Sequence, residues 1–176
     1  VWNNVCSGGG EMKVGIITSS LSHSDGWGRY SLEIVSALKK HVAIKIITAA
    51  SQKKLENMEI YPLLPEPLSL SFSKIIAESF KIKSYLMDCD IVHCLVEPYA
   101  PVIAFANIKL KKPFIITAHG TYAVKPLHRF IDGILLRFAY KKADQILCVS
   151  KFTEKEILKR TTIHNTRVIP NGVNYD

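Results

Sequence analysis

Apolar positions along this chain follow two alternating rhythms. Runs of consecutive branched residues recur at 14–18 (V-G-I-I-T), 42–48 (V-A-I-K-I-I-T), 90–96 (D-I-V-H-C-L-V), 114–117 (F-I-I-T) and 144–150 (D-Q-I-L-C-V-S). Each is short, continuous and rich in β-branched residues, which predicts buried strands. Between them apolar residues return at helical spacing. Tyr30, Ile34, Ala37 and Leu38 predict a first helix, with Glu33 and Lys39 off its stripe. Further helices are expected over about 71–87, 98–108 and 127–142, and from Thr153 to about Arg160. A short strand near 59–61 and a last one at 168–169 complete the set, and Pro170-Asn171-Gly172 forms a turn. Strands alternating with helices at this spacing predict an α/β, Rossmann-like open parallel sheet with helices on both faces. No internal repeat interrupts the alternation.

Composition narrows the class. The chain has 176 residues, 48% hydrophobic and 22% charged, enough for one domain with a real core and unlike a disordered segment. No apolar run approaches the roughly 18–20 residues of a membrane span. Residues 1–11 lack periodicity and a signal-peptide core, so they read as a leader or expression remnant outside the fold. The expected domain occupies 12–170. The four cysteines form no C-x-x-C pair, which fits a reduced cytoplasmic protein. Cys89, His93 and Cys94 have loose metal-ligand spacing, but Cys94 and Cys148 sit in strand-like runs where a thiol acts as a small hydrophobe. No metal is expected. The net charge of +8 suits a solvated basic surface, an anionic substrate or an anionic membrane face. Nothing resembles a nucleic-acid module.

The first strand, the loop 19–25 and Gly26-Trp27-Gly28-Arg29-Tyr30 place backbone N–H groups and a helix dipole beside a strand's C-terminal edge. Open α/β sheets bind ligands there, phosphates especially. The dinucleotide fingerprint fails in three places: the loop is too long, Ser31 replaces the third glycine, and no acidic residue ends the second strand. The plain alternative is that Gly26 and Gly28 only permit a tight helix entry. His119, flanked by Gly120, should stand on the same rim. His93 lies within a strand, where a satisfied core histidine is the simpler reading. Ser150 ends a strand and suits a helix cap. No Gly-x-Ser-x-Gly elbow, P-loop or His-Glu-x-x-His occurs.

In order along the chain, six landmarks resemble one family: Met12-Lys13-Val14-Gly15-Ile16, Gly26-Trp27-Gly28-Arg29-Tyr30, Asp90-Ile91-Val92-His93, Thr117-Ala118-His119-Gly120, the run from Ala143 to Ser150, and Val168-Ile169-Pro170-Asn171-Gly172-Val173. Together they are similar to the N-terminal half of retaining GT-B glycosyltransferases of family 4. The resemblance implies an acceptor-side domain facing a C-terminal domain that holds most of the nucleotide-sugar donor. It implies that Gly26 and Gly28 lend N–H groups to the donor diphosphate and that His119 contacts the transferred sugar as the catalytic residue. Arg29, His93, Thr121 and Ser150 become cleft or acceptor candidates, and Asn171 and Gly172 open the interdomain hinge over 171–176.

Charge develops on phosphate oxygens as a nucleoside diphosphate leaves, and fixed N–H dipoles there lower the barrier. The resemblance implies no cofactor or metal. The acceptor is expected to be a sugar, a lipid-linked group or another hydroxyl. No two glutamates lie eight apart, so the family's Glu-x7-Glu donor pair is missing. The expectation is therefore half an enzyme, inactive or nearly so alone. The alternatives are half of a GT-B nucleotide-sugar epimerase or a non-catalytic sugar- or nucleotide-binding domain. The basic, apolar-striped helices at 71–87 and 127–142 carry a further expectation of peripheral contact with an anionic membrane. Against it stands the reading of those stripes as core.

Overall fold

The computed structural model describes residues 11–172 apart from 54, 56 and 57. The expected leader, except Glu11, and the hinge beyond Gly172 lie outside the described residues. Seven parallel strands form one sheet in the order β3-β2-β1-β4-β5-β6-β7. They are β1 (Lys13–Ile17), β2 (Ala43–Ala49), β3 (Ile60–Leu64), β4 (Ile91–Cys94), β5 (Phe114–Ala118), β6 (Gln145–Cys148) and β7 (Thr166–Val168). Helices connect them: α1 (Gly26–Leu38), α2 (Phe72–Leu86), α3 (Ala100–Leu110), α4 (Thr121–Val124), α5 (Phe130–Lys142) and α6 (Lys151–Leu158). The Rossmann-like architecture expected from the alternation is present.

Neighbouring strand residues point to opposite faces, and both faces are covered. Val14, Ile16 and Ile46 pack with Val35 under α1. Ile17 and Ile47 turn the other way, into a larger core with α2, α3 and α5 that includes Ile82, Ile103 and Tyr140. This two-sided burial explains why the strand sequences are continuous apolar runs rather than alternating ones.

The departures from expectation are local. α1 begins at Gly26, four residues before the apolar stripe, because Asp25 caps it. β3 runs on to Leu64 through Pro62, which an edge strand tolerates. The helix expected over 127–142 is broken: α4 and a 3-10 turn at Lys125–His128 precede α5, with Pro126 in the turn. Leu135, Leu136, Ala139 and Tyr140 face the core, while Phe130 and Ile134 point to solvent. On α2, Ile75, Ile82 and Leu86 are buried and Phe80 is exposed. The expected stripes are thus core along part of each helix only.

Candidate functional site at the switch between β1 and β4

The chain leaves β1 toward β2 and β3, then returns to pair β4 on β1's other side and continues outward through β5. The connections therefore diverge between β1 and β4, which opens a crevice beyond their C-terminal ends. The start of α1, the segment after β4 and the end of β5 meet there.

Asp25 sits before α1 in extended backbone, and its Oδ1 accepts the Gly28 N–H at 2.8 Å. Ser20 Oγ donates to the other carboxylate oxygen at 3.0 Å. Gly28 is buried, and a Cβ on it would come within 2.7 Å of Ser20, Asp25 and the Ser22 carbonyl. Glycine is required there by close approach. Gly28, expected to lend its N–H to a diphosphate, gives it to Asp25 instead. Gly26 is exposed, with nothing near its missing side chain. Arg29 is also exposed and turns back to donate to the His23 carbonyl at 3.3 Å.

His119 directly follows β5 and stands at the rim, partly buried. Its Nε2 lies 2.9 Å from the Leu95 carbonyl. A carbonyl can only accept, so Nε2 carries the proton and Nδ1 is the acceptor nitrogen of the neutral ring. Burial lowers the His119 pKa, opposed by the Leu95 carbonyl. The Tyr30 ring meets the imidazole edge-on with centroids 4.5 Å apart. Beside them Trp27 and Tyr122 pack at 4.7 Å, joining α1 to α4. Gly120 takes φ 105°, a conformation that favours glycine, and turns the chain sharply from β5 into α4.

Glu97 was not singled out by sequence reasoning, yet it is the one fully buried acid in this crevice among the described residues. It opens a 3-10 turn (Glu97–Tyr99) after β4, and its Oε1 accepts the backbone N–H of His119. Its Oε2 is buried without a hydrogen-bond partner among the described residues. Burial pushes its pKa up to about 7, opposed chiefly by the His119 amide. The carboxyl also borders a groove of about 380 Å³ running between the 67–69 turn, α4 and α5. Pro67, Leu68, Leu70 and Leu135 give the groove apolar walls, and Lys125 and Arg129 charge its rim.

The remaining candidates spread out from this centre. His93 is nine-tenths buried within β4, with Nε2 2.9 Å from Thr117 Oγ1, as a satisfied core histidine would be. Burial, and secondarily His119, lower its pKa to about 4. Ser150 caps α6 by accepting the Thr153 N–H at 3.1 Å. It remains at the rim, because Thr153 lies against Gly120. Thr121 is exposed at the first position of α4. Asn171 and Gly172 lie exposed beyond β7, at the far edge of the sheet. Cys89, Cys94 and Cys148 are free and buried, and no group of three metal-ligating side chains gathers among the described residues.

A parallel sheet with a switch-point crevice, a helix start and a rim histidine defines a Rossmann-like domain. The comparisons with known proteins sharpen this. The model of Glycosyltransferase Family 4 matches residues 24–176, and the chain belongs to that family. Its fold is that of the N-terminal half of GT-B enzymes. It is similar to the lipopolysaccharide outer core galactosyltransferase WaaB in its apo form, with TM-score 0.69, 17% identity, and coverage of 94% of this chain and 47% of that one. HepE of Anabaena, solved with UDP and glucose, gives TM-score 0.72 at 13% identity, covering 93% and 45%. The UDP-N-acetylglucosamine 2-epimerase of Rickettsia bellii gives 0.66 at 12%, covering 90% and 44%. The chain thus spans about half the length of these proteins. No curated protein matches it by sequence.

Proposed function

We propose that this domain is the acceptor-side half of a retaining enzyme that moves a hexosyl group from a nucleotide-sugar to a hydroxyl acceptor. The observation that carries the reading is the His119 imidazole, its Nε2 held by the Leu95 carbonyl, beside the start of α1 in a chain of Glycosyltransferase Family 4. In this reading Nδ1 accepts a hydroxyl of the transferred sugar. The leaving diphosphate lies toward exposed Gly26 at the positive end of α1, where the helix dipole favours it. Gly28 serves by close packing, and its amide stays with Asp25. Arg29, Thr121 and Ser150 face the acceptor side. The nucleotide-sugar is a substrate, and no cofactor or metal ion is proposed. A C-terminal domain beyond the hinge at Asn171 and Gly172 supplies most donor contacts.

The test is to incubate the protein at its native length with UDP- and GDP-sugars, with and without acceptors. Acceptor-dependent release of nucleoside diphosphate is expected, and little or none from these 176 residues alone. Donor epimerised without acceptor would assign the epimerase reading instead, and binding without turnover would make the domain non-catalytic. Robust transfer by the 176-residue chain would overturn the half-enzyme reading.

We also propose that the domain works in the cytoplasm with peripheral contact to an anionic membrane. Phe130 is 84% exposed, Leu68 68% and Ile131 63%. Lys125 and Arg129, which share the groove with Leu68, put charge beside them. Apolar residues among cations suit the headgroup boundary of an anionic bilayer. Vesicles containing anionic phospholipid should co-sediment the protein and neutral vesicles should not, with binding reduced in Phe130→Ser/Ile131→Ser. Equal behaviour with both vesicles would remove the proposal.

A further inference from the structure

His119 is held twice by one tripeptide. Leu95 gives its carbonyl to the ring, and Glu97 gives its carboxylate to the backbone amide. We propose that Glu97 is a positioning residue for His119, clamping the backbone so that the ring nitrogen left free by Leu95 stays at one place in the crevice.

Three observations carry this. The first is where the clamp acts. His119 immediately precedes Gly120, whose φ of 105° turns the chain out of the sheet. Backbone ladder bonds therefore stop holding the chain there, and the Glu97 bond replaces them. The second is the cost of the residue. A fully buried carboxyl with one oxygen unpartnered destabilises the fold, so packing alone gives no reason for an acid at this position. The third is the chemistry of the bond. An ionised carboxylate holds an N–H more strongly than a neutral one, so the clamp tightens as Glu97 loses its proton.

The groups around that proton are known. His119 faces Glu97 from the end of β5, Cys94 from β4, Tyr140 from α5 and Trp27 from α1, and His93 stands behind His119. Lys125, Arg129 and Asp132 line the adjoining groove. The two histidines are held toward their neutral forms by burial, and Tyr140 and Cys94 are held protonated. Glu97 is the member of this group that titrates near neutrality.

Only the kinetic part of the test rests on the glycosyltransferase reading. The protein at its native length is labelled with 15N-histidine and compared with Glu97→Gln and Glu97→Ala. The His119 amide of the parent should shift with a midpoint near pH 7, and in both variants it should be indifferent to pH across that range. At pH 7, kcat for sugar transfer should fall about tenfold in Glu97→Ala and about two- to threefold in Glu97→Gln, with donor KM little changed, because misplacement is felt in the transition state. As the clamp tightens, parental kcat should rise with pH around neutrality, and that rise should be absent in Glu97→Gln. A His119 amide that does not titrate in the parent overturns the clamp, as does a folded Glu97→Ala with parental kcat and KM. If Glu97→Ala does not fold, the presence or loss of the titration in Glu97→Gln decides. A parent that shows the titration but transfers no sugar rejects the transferase reading and leaves the clamp standing.

Discussion

Glu97→Gln gains stability over the parent protein as pH rises, by about 3 kcal/mol between acid and mildly alkaline solution. The sign follows from the direction of the shift. Glu97 has its ordinary acidity of 4.5 when unfolded and about 7 when folded. Between those values the folded state binds the extra proton, so the Glu97 contribution to parental stability falls as pH rises through the window. Below about pH 4 the side chain is protonated in both states and the penalty is absent. Above about pH 8 it is complete. Glutamine does not titrate, and its side-chain oxygen still accepts the His119 amide. A fixed offset from the new amide group would move the whole curve without changing its slope. For a domain of this size the widening gap corresponds to about 6–12 °C in Tm. Thermal unfolding of both proteins from pH 4 to pH 8 measures it, and parallel curves would show that Glu97 is not strained by burial.

The features behind this effect were not equally legible in the sequence. The strands were readable because two covered faces demand continuous branched apolar runs, as in β1 and β5. The rim position of His119 followed directly, since it is the first residue past such a run. The start of α1 was harder. Gly26-Trp27-Gly28 looks like loop, and the helix begins there only because Asp25 caps it. An Asp three residues before Gly28 was the available signal. Phe130 and Ile134 share the helical spacing of Leu135 and Phe138, yet they stand on the solvent side of α5. Local periodicity shows which residues share a helix face, but not how much of that face the rest of the fold covers. Glu97 was missed for a different reason. Its burial is made by Trp27, Tyr122 and the α4–α5 region folding over the end of β4, which are contacts distant in sequence. The usable clue was a single charge inside an otherwise apolar stretch from Ile91 to Ala106, since such a charge must find a partner or change its acidity.

The same reasoning gives His93 an opposite and comparable effect. His93 is nine-tenths buried and bonded to Thr117, and its pKa falls from 6.5 to about 4. Here the unfolded state takes up the proton first. The contribution is fully present above pH 6.5 and is lost as pH falls toward 4, by up to about 3 kcal/mol. His119, lowered in the same direction, adds to that acid loss. Asp88, held down to about 2 by Lys13 and Lys45, acts only at lower pH. Between pH 4.5 and 6.5 the parent therefore carries two opposed slopes, Glu97 losing stability and His93 gaining it as pH rises. Each single variant should unmask the other residue. His93→Gln keeps a polar atom within reach of Thr117 and should lose stability as pH rises through this window. Glu97→Gln should gain it, and the double variant should be flatter than either. Urea unfolding at half-unit pH steps tests all four proteins together. A His93→Gln curve with the parental slope would mean that His93 takes up its proton in the fold as readily as in the unfolded chain, and that its burial does not lower its pKa.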